Sequence, residues 1–245
     1  MSASSVSHVE GISLRQAAII AGVAYLLNPI TYAEFNLYPK IVIPGNIALT
    51  VHNIDVHGSS FAVAIFCYLI NYIEDIVIAW ALYILLAPVN RALSLLTAWF
   101  RLIYTALGLF GVLELALAFR LVHSGNYGTT FGVSQLQAQV QLLLDSFRYG
   151  WGFSLIVFGV HLILLGYLIV RSGYIPGILG ILLALDGLGW IISGARPYLY
   201  PNASLGWLFI VSFAELLLPL WLVIMGWRIP DDPVPKNGTR AAAST

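Results

Sequence analysis

Long apolar runs separated by short polar stretches make up most of the chain. About 20 apolar residues carry an α-helix across hydrocarbon, and six runs qualify, at roughly 16–38, 60–87, 91–122, 149–170, 176–195 and 205–227. They are continuous rather than alternating, so they predict helices and not the strands of a barrel. The expected fold class is therefore all-α, an integral membrane helical bundle of six transmembrane helices. Residues 1–15 form a polar N-terminal segment, 16–228 the six-span domain, and 229–245, rich in proline and small residues, a disordered tail. Two features lie outside the spans. In the outer loop 38–59, Asn46 follows Pro44-Gly45 and is placed to N-cap a short helix. Segment 133–148 carries Val133, Leu136, Val140, Leu143, Leu144 and Phe147 at helical spacing, with glutamines over much of the other side. It predicts an outer amphipathic helix, either lying at the interface or extending the fourth span.

Composition agrees with a bilayer as solvent. The chain is 60% hydrophobic with mean hydropathy +0.89 and 9% charged, against about 25% charged in soluble domains. The absence of a small-residue cleavage pattern marks the first run as a retained span rather than a signal peptide. Six spans place both termini on one side, with Arg15, Arg91, Arg171, Arg228, Lys236 and Arg240, whereas Lys40, Arg120, Arg148 and Arg196 face the other. That asymmetry predicts cytoplasmic termini. Eleven basic and eleven acidic residues cancel, which argues against a nucleic-acid partner and leaves the lipid bilayer as the expected one. Cys67 is the only cysteine, excluding an internal disulfide and a thiolate-rich metal site.

The charges inside the spans carry the chemistry. An ionised carboxylate in hydrocarbon costs roughly 2.5–3.5 kcal/mol, yet Glu74 and Asp75 are adjacent in the middle of the second span. In a tight helical hairpin, residues equidistant from the turn share a depth. Spans two and three turn near Val89, which sets Glu74 and Asp75 level with Arg101, the natural counter-ion. Asn71 lies three and four residues before the two acids, so its amide is in reach of either. Spans four and five turn near Gly173, setting His161 level with Asp186, and Glu215 falls level with Asp186 across the turn near Tyr200. All of these, with Asn28 of the first span, lie about 15–20 Å from the inner arginines. One polar layer near the midplane is expected, with Asp75 paired to Arg101 and His161 to Asp186. Pro29 and Pro219 free the carbonyls of Tyr25 and Glu215 beside it. Gly152, Gly159 and Gly166 form a smooth stripe for close helix contact, and His161 points nearly the opposite way. Glu34 and Glu114 lie about 28–35 Å from the inner arginines and read as solvated at the outer interface. Glu74, about 100° round the helix from Asp75, needs a different partner or becomes the first residue to test for function.

Several of these stretches are familiar together: LYILLAPVNRALSLLTAWFRL, GYLIVRSGYIPGILGILLALDGLGW, IVIPGNIALTVHNI and FAELLLPLWLVIMG. With Arg91, Trp99-Phe100-Arg101, Ser172-Gly173, Ile175-Pro176 and Leu179-Gly180, the chain resembles the multi-spanning bacterial membrane family catalogued as domain of unknown function 4386. The similarity covers about residues 14–226. It implies the multi-span fold and a bacterial cytoplasmic membrane, and favours acids at Asp75 and Glu215, but it implies no activity. Asn46 departs from the family pattern, where aspartate is usual, and His52 and His57 fall outside it.

Three functions fit the layer of Asn28, Asn71, Glu74, Asp75, Arg101, His161, Asp186 and Glu215. It forms a small-solute or proton-linked transport or ligand-binding site, with proline-interrupted spans beside it. Alternatively, its pairs only fix helix packing, in a structural or accessory protein. As an intramembrane enzyme, His161, Asp186 and Glu215 would supply acid and base or hold a metal. The last is the least supported, because the spans hold one histidine and no nucleophile signature. No cofactor or metal is expected, although His52, Asp55 and His57 in the outer loop have chelating side chains.

Overall fold

The computed structural model describes residues 12–202, 204 and 213–231. Helix α1 (Leu14–Leu27) opens on a capping box between Ser13 and Gln16. It stops at Asn28-Pro29, where proline cannot continue the backbone ladder. The chain resumes as α2 (Ile30–Tyr32), a π-helical turn (Ala33–Leu37) and α3 (Tyr38–Ile41). The outer loop then contributes α4 (Ile47–Val56), where the Asn46 side chain accepts from the Leu49 amide at 3.0 Å. The remaining helices are α5 (Gly58–Leu86), α6 (Arg91–His123), α7 (Gly125–Ser172), α8 (Gly177–Leu199) and α9 (Ala214–Met225). No strand occurs among the described residues.

Among the described residues, five segments are long and apolar enough to cross a bilayer: Leu14–Ile41, Gly58–Leu86, Arg91–His123, Gly132–Ser172 and Gly177–Leu199. Of the sixth run, 205–227, the stretch 205–212 lies outside the described residues, and α9 covers 12 residues of the rest. The polar segment up to residue 11 and the tail from residue 232 also lie outside them. Segment 133–148 is not a separate helix but is continuous with the fourth apolar run. After a kink at Gly132 (φ 71°) it runs without interruption into the fourth span. Val140, Leu144 and Phe147 are buried there, while Val133 and Leu142 are exposed.

Neighbours in sequence are neighbours in space. α5 packs on α1 and α6, α7 on α6 and α8, and α9 on both α8 and α1, so the long helices close into a ring. The tightest seam is α7 with α8. A Cβ on Gly159 would run into the Gly187 carbonyl, and one on Gly166 into that of Gly180. Only glycine permits so close an approach. Gly173 (φ 77°) ends α7 in the left-handed conformation. From this turn the Tyr174 hydroxyl donates to the Leu85 carbonyl near the end of α5. Arg15 at the start of α1 meets Asp231 beyond α9 at 3.2 Å. Ile73, Trp80, Phe110, Leu113, Leu185 and Leu216 are among the many large apolar side chains on the outside, an exterior suited to lipid and not to water.

Candidate functional site

Arg101 is the centre of the layer. It is 2% exposed and reaches helices on either side of α6. Its Nη2 donates to Asp75 of α5 in a buried ion pair, and its Nη1 donates to the Tyr25 hydroxyl of α1. The guanidinium lies 4.7 Å from the Tyr25 ring centre and 5.5 Å from that of Phe158 on α7, the geometry of cation–π attraction. Nη1 also stands 3.2 Å from His161 Nε2, while His161 Nδ1 stands 2.9 Å from the Thr97 carbonyl. A carbonyl only accepts, so Nδ1 carries the hydrogen and Nε2 offers its lone pair to Arg101. His161 is thereby a neutral imidazole in a defined tautomer.

This corrects the pairing of His161 with Asp186. Depth matching places two residues on one level but says nothing about which way each faces. The stripe of Gly159 and Gly166 packs on α8, and His161, pointing the other way, turns toward α6. Asp186 is met instead by Glu215. The two carboxyl groups lie close enough to interact directly, and the Trp190 Nε1 donates to Glu215 Oε1. Asp186 is 1% exposed, and its Oδ2 has no partner. Arg101, Asp75, Tyr25 and Tyr104 all lie within electrostatic reach of Glu215.

The asparagines also settle differently from expectation. Asn28 Oδ1 accepts from the Ile30 amide at 2.9 Å, which orients its Nδ2 to donate to Asn71 Oδ1. Asn28 thus caps the break in α1 and ties it to α5. Asn71 is committed to α1 and to neither acid, and its own Nδ2 is buried without a partner. Glu74 is half-buried, with Oε2 enclosed and unpartnered. Glu34 is no freely solvated acid either, since the buried Tyr68 hydroxyl donates to it. The π-helical turn around Glu34 re-aims side chains toward α5 in a way that helical spacing alone does not reveal. His52, Asp55 and His57 are all exposed, and among the described residues no three His, Cys, Asp or Glu side chains converge as a metal site.

Two participants were missed in the sequence. Trp190 lies one helical turn beyond Asp186, so its position on the same face was readable. Tyr25 precedes Asn28 by three residues and carried the same signal, but an aromatic at helical spacing usually denotes packing.

The domain of unknown function family DUF4386 matches residues 20–226. An uncharacterised protein of Archaeoglobus fulgidus is 29% identical over 162 residues, covering 65% of this chain and 81% of that protein. No solved structure matches. The family match spans the break in α1, the whole of α5 to α8 and the α9 helix bearing Glu215, and on that extent the chain belongs to the DUF4386 family.

Proposed function

We propose that this is an integral membrane protein in which the Asp186–Glu215 carboxyl pair takes up and releases a proton during transport or binding of a small solute. The observation that carries the reading is the contact between those two carboxyls inside the ring of helices. Two neighbouring carboxylates only accept hydrogen bonds and repel each other, so a proton held between them is what would make their approach favourable. The nearest fixed cation, Arg101, is already matched by Asp75, which leaves the pair without a counter-ion of its own. α1 breaks at Asn28-Pro29, and α9, which it meets where the ring closes, carries Pro219 inside the helix four residues after Glu215, so the Glu215 carbonyl lacks its usual helical partner. Interrupted helices beside a midplane site are the usual setting for solute and ion binding in transporters. Six crossings with cytoplasmic termini in a cytoplasmic membrane belong to this reading.

Proteoliposomes under an imposed proton gradient test it. The wild-type protein is expected to carry a proton flux that Glu215→Gln and Asp186→Asn abolish. Flux equal to that of empty liposomes, or unchanged in both variants, would remove the reading. A second reading, a purely structural layer, draws on Arg101, whose partners on α1, α5 and α7 are all fixed. It is the reading that survives if both variants retain every solution property except stability. The acid–base enzyme is the least favoured reading, because both ring nitrogens of His161 are engaged by Thr97 and Arg101.

A further inference from the structure

A cavity of about 270 Å³ opens at the end of the bundle that carries α4, lined by Tyr32, Asn36, Leu37, Lys40, Ile41, His57 and Ser60. Its polar lining offers an ammonium, an imidazole, an amide and two hydroxyls, and no carboxylate lines it. The first turn of α5 lies beside it, and the N-cap residue His57 makes no capping hydrogen bond. No N-cap side chain covers the leading amides of this 29-residue helix, and helix-leading amides favour an anion. Asn36 reaches the cavity from within the π-helical turn and Lys40 from α3 after it, the extra residue of the turn rotating the chain relative to a regular helix. The cavity sits where Leu14–Ile41 ends and Gly58–Leu86 begins, the end of both apolar segments, where the headgroup region of a bilayer would meet them. Exposed Phe35, next to Asn36, and Val63, one turn beyond Ser60, continue the surface with apolar side chains.

We infer that this cavity binds a phosphate group, through Lys40, His57, Ser60 and Asn36, distinct from the buried carboxyl layer. The phosphate belongs either to the headgroup of an anionic lipid or to a free phosphate from the aqueous side. The full chain, purified in a nonionic detergent, is to be unfolded thermally with phosphatidylglycerol, diacylglycerol or inorganic phosphate added. Lys40→Gln and His57→Gln are the test variants. Arg120→Gln, which removes an exposed cation at the same end of the bundle but outside the cavity, is the control. A phosphate-bearing ligand is expected to raise the wild-type midpoint by a few degrees. The apparent affinity should fall about tenfold in Lys40→Gln and stay unchanged in Arg120→Gln. A response to phosphatidylglycerol alone assigns a lipid headgroup, and a response to inorganic phosphate as well assigns a site for the phosphate group itself. The inference is overturned if neither ligand stabilises the wild type more than diacylglycerol does. It is equally overturned if Arg120→Gln weakens binding as much as Lys40→Gln, because the surface charge as a whole is then responsible. All three substituted side chains are exposed, so folding does not obscure the result.

Discussion

Arg101 satisfies a demand that no single helix meets. A guanidinium out of water needs a counter-charge and partners for its N–H groups, and Asp75, Tyr25 and His161 arrive from α5, α1 and α7 to supply them. Removing one member should cost more than removing the pair. Asp75→Asn and Arg101→Met are each expected to lose about 3–5 kcal/mol, and the double variant to recover most of it, measured as unfolding in detergent. If the double variant is as unstable as the sum of the singles, Asp75 is not the counter-ion that matters. The tautomer of His161 has its own check, since nitrogen-15 spectra should show Nδ1 protonated and Nε2 bare at neutral pH. Depth was legible at this scale because hairpins count residues from a turn, and Asp75 opposite Arg101 is the result. Direction was not, because the face a residue presents depends on which neighbour its helix packs against. His161 illustrates this: it shares a level with Asp186 and faces away from it.

The helices show why some of that direction was recoverable in principle. A glycine stripe marks a seam but does not name its partner, and the partner of Gly159 and Gly166 is α8. Gly187→Ala should place a Cβ against the Gly159 carbonyl and the Leu162 and Ile163 side chains. Overpacking of this kind costs about 1–3 kcal/mol, whereas Gly152→Ala, with open space around its Cβ position, should be nearly neutral. Helix starts were readable from short-range chemistry alone, as Asn46 shows. Asn46→Ala is expected to lose about 1 kcal/mol, and Asn46→Asp, which keeps an acceptor for the Leu49 amide, to lose little. Unfolding midpoints of the two variants check this, and equal losses would mean that the cap is not what holds α4. The π-helical turn at Ala33–Leu37 had no such signature, because its extra residue answers to packing against α5 and not to the local sequence. The continuity of segment 133–148 with the rest of α7 was left open by periodicity for a similar reason. An amphipathic face can be covered by lipid or by protein, and here α4 packs on it.

At the scale of the whole molecule, closure of the ring by α9 turns separate buried groups into one electrostatic unit. Four carboxyl groups, Glu74, Asp75, Asp186 and Glu215, share the interior layer or its flank with a single fixed cation, Arg101. Hydrocarbon disfavours that excess as free charge, and in the proposed function Asp186 and Glu215 relieve part of it by sharing a proton. A proton shared by Asp186 and Glu215 belongs to the pair and not to either residue, and this gives a distinctive signature. Infrared spectra of the purified protein at neutral pH should contain a protonated-carboxyl band, and Asp186→Asn and Glu215→Gln should each remove the same band. Independent acids would give two bands, each lost separately. The stability of the two variants should likewise be non-additive, with a coupling of about 0.5–3 kcal/mol in a double-mutant cycle, because the first amide already relieves the repulsion that the second would remove. Glu74→Gln provides the contrast. Its Oε2 is enclosed without a partner, so neutralising it should leave stability unchanged or raised and leave the Asp186–Glu215 band intact. That outcome would mark Glu74 as a carboxyl that the fold does not need. Loss of proton flux in Glu74→Gln at full stability would extend the proton path from the closing seam of the ring to α5.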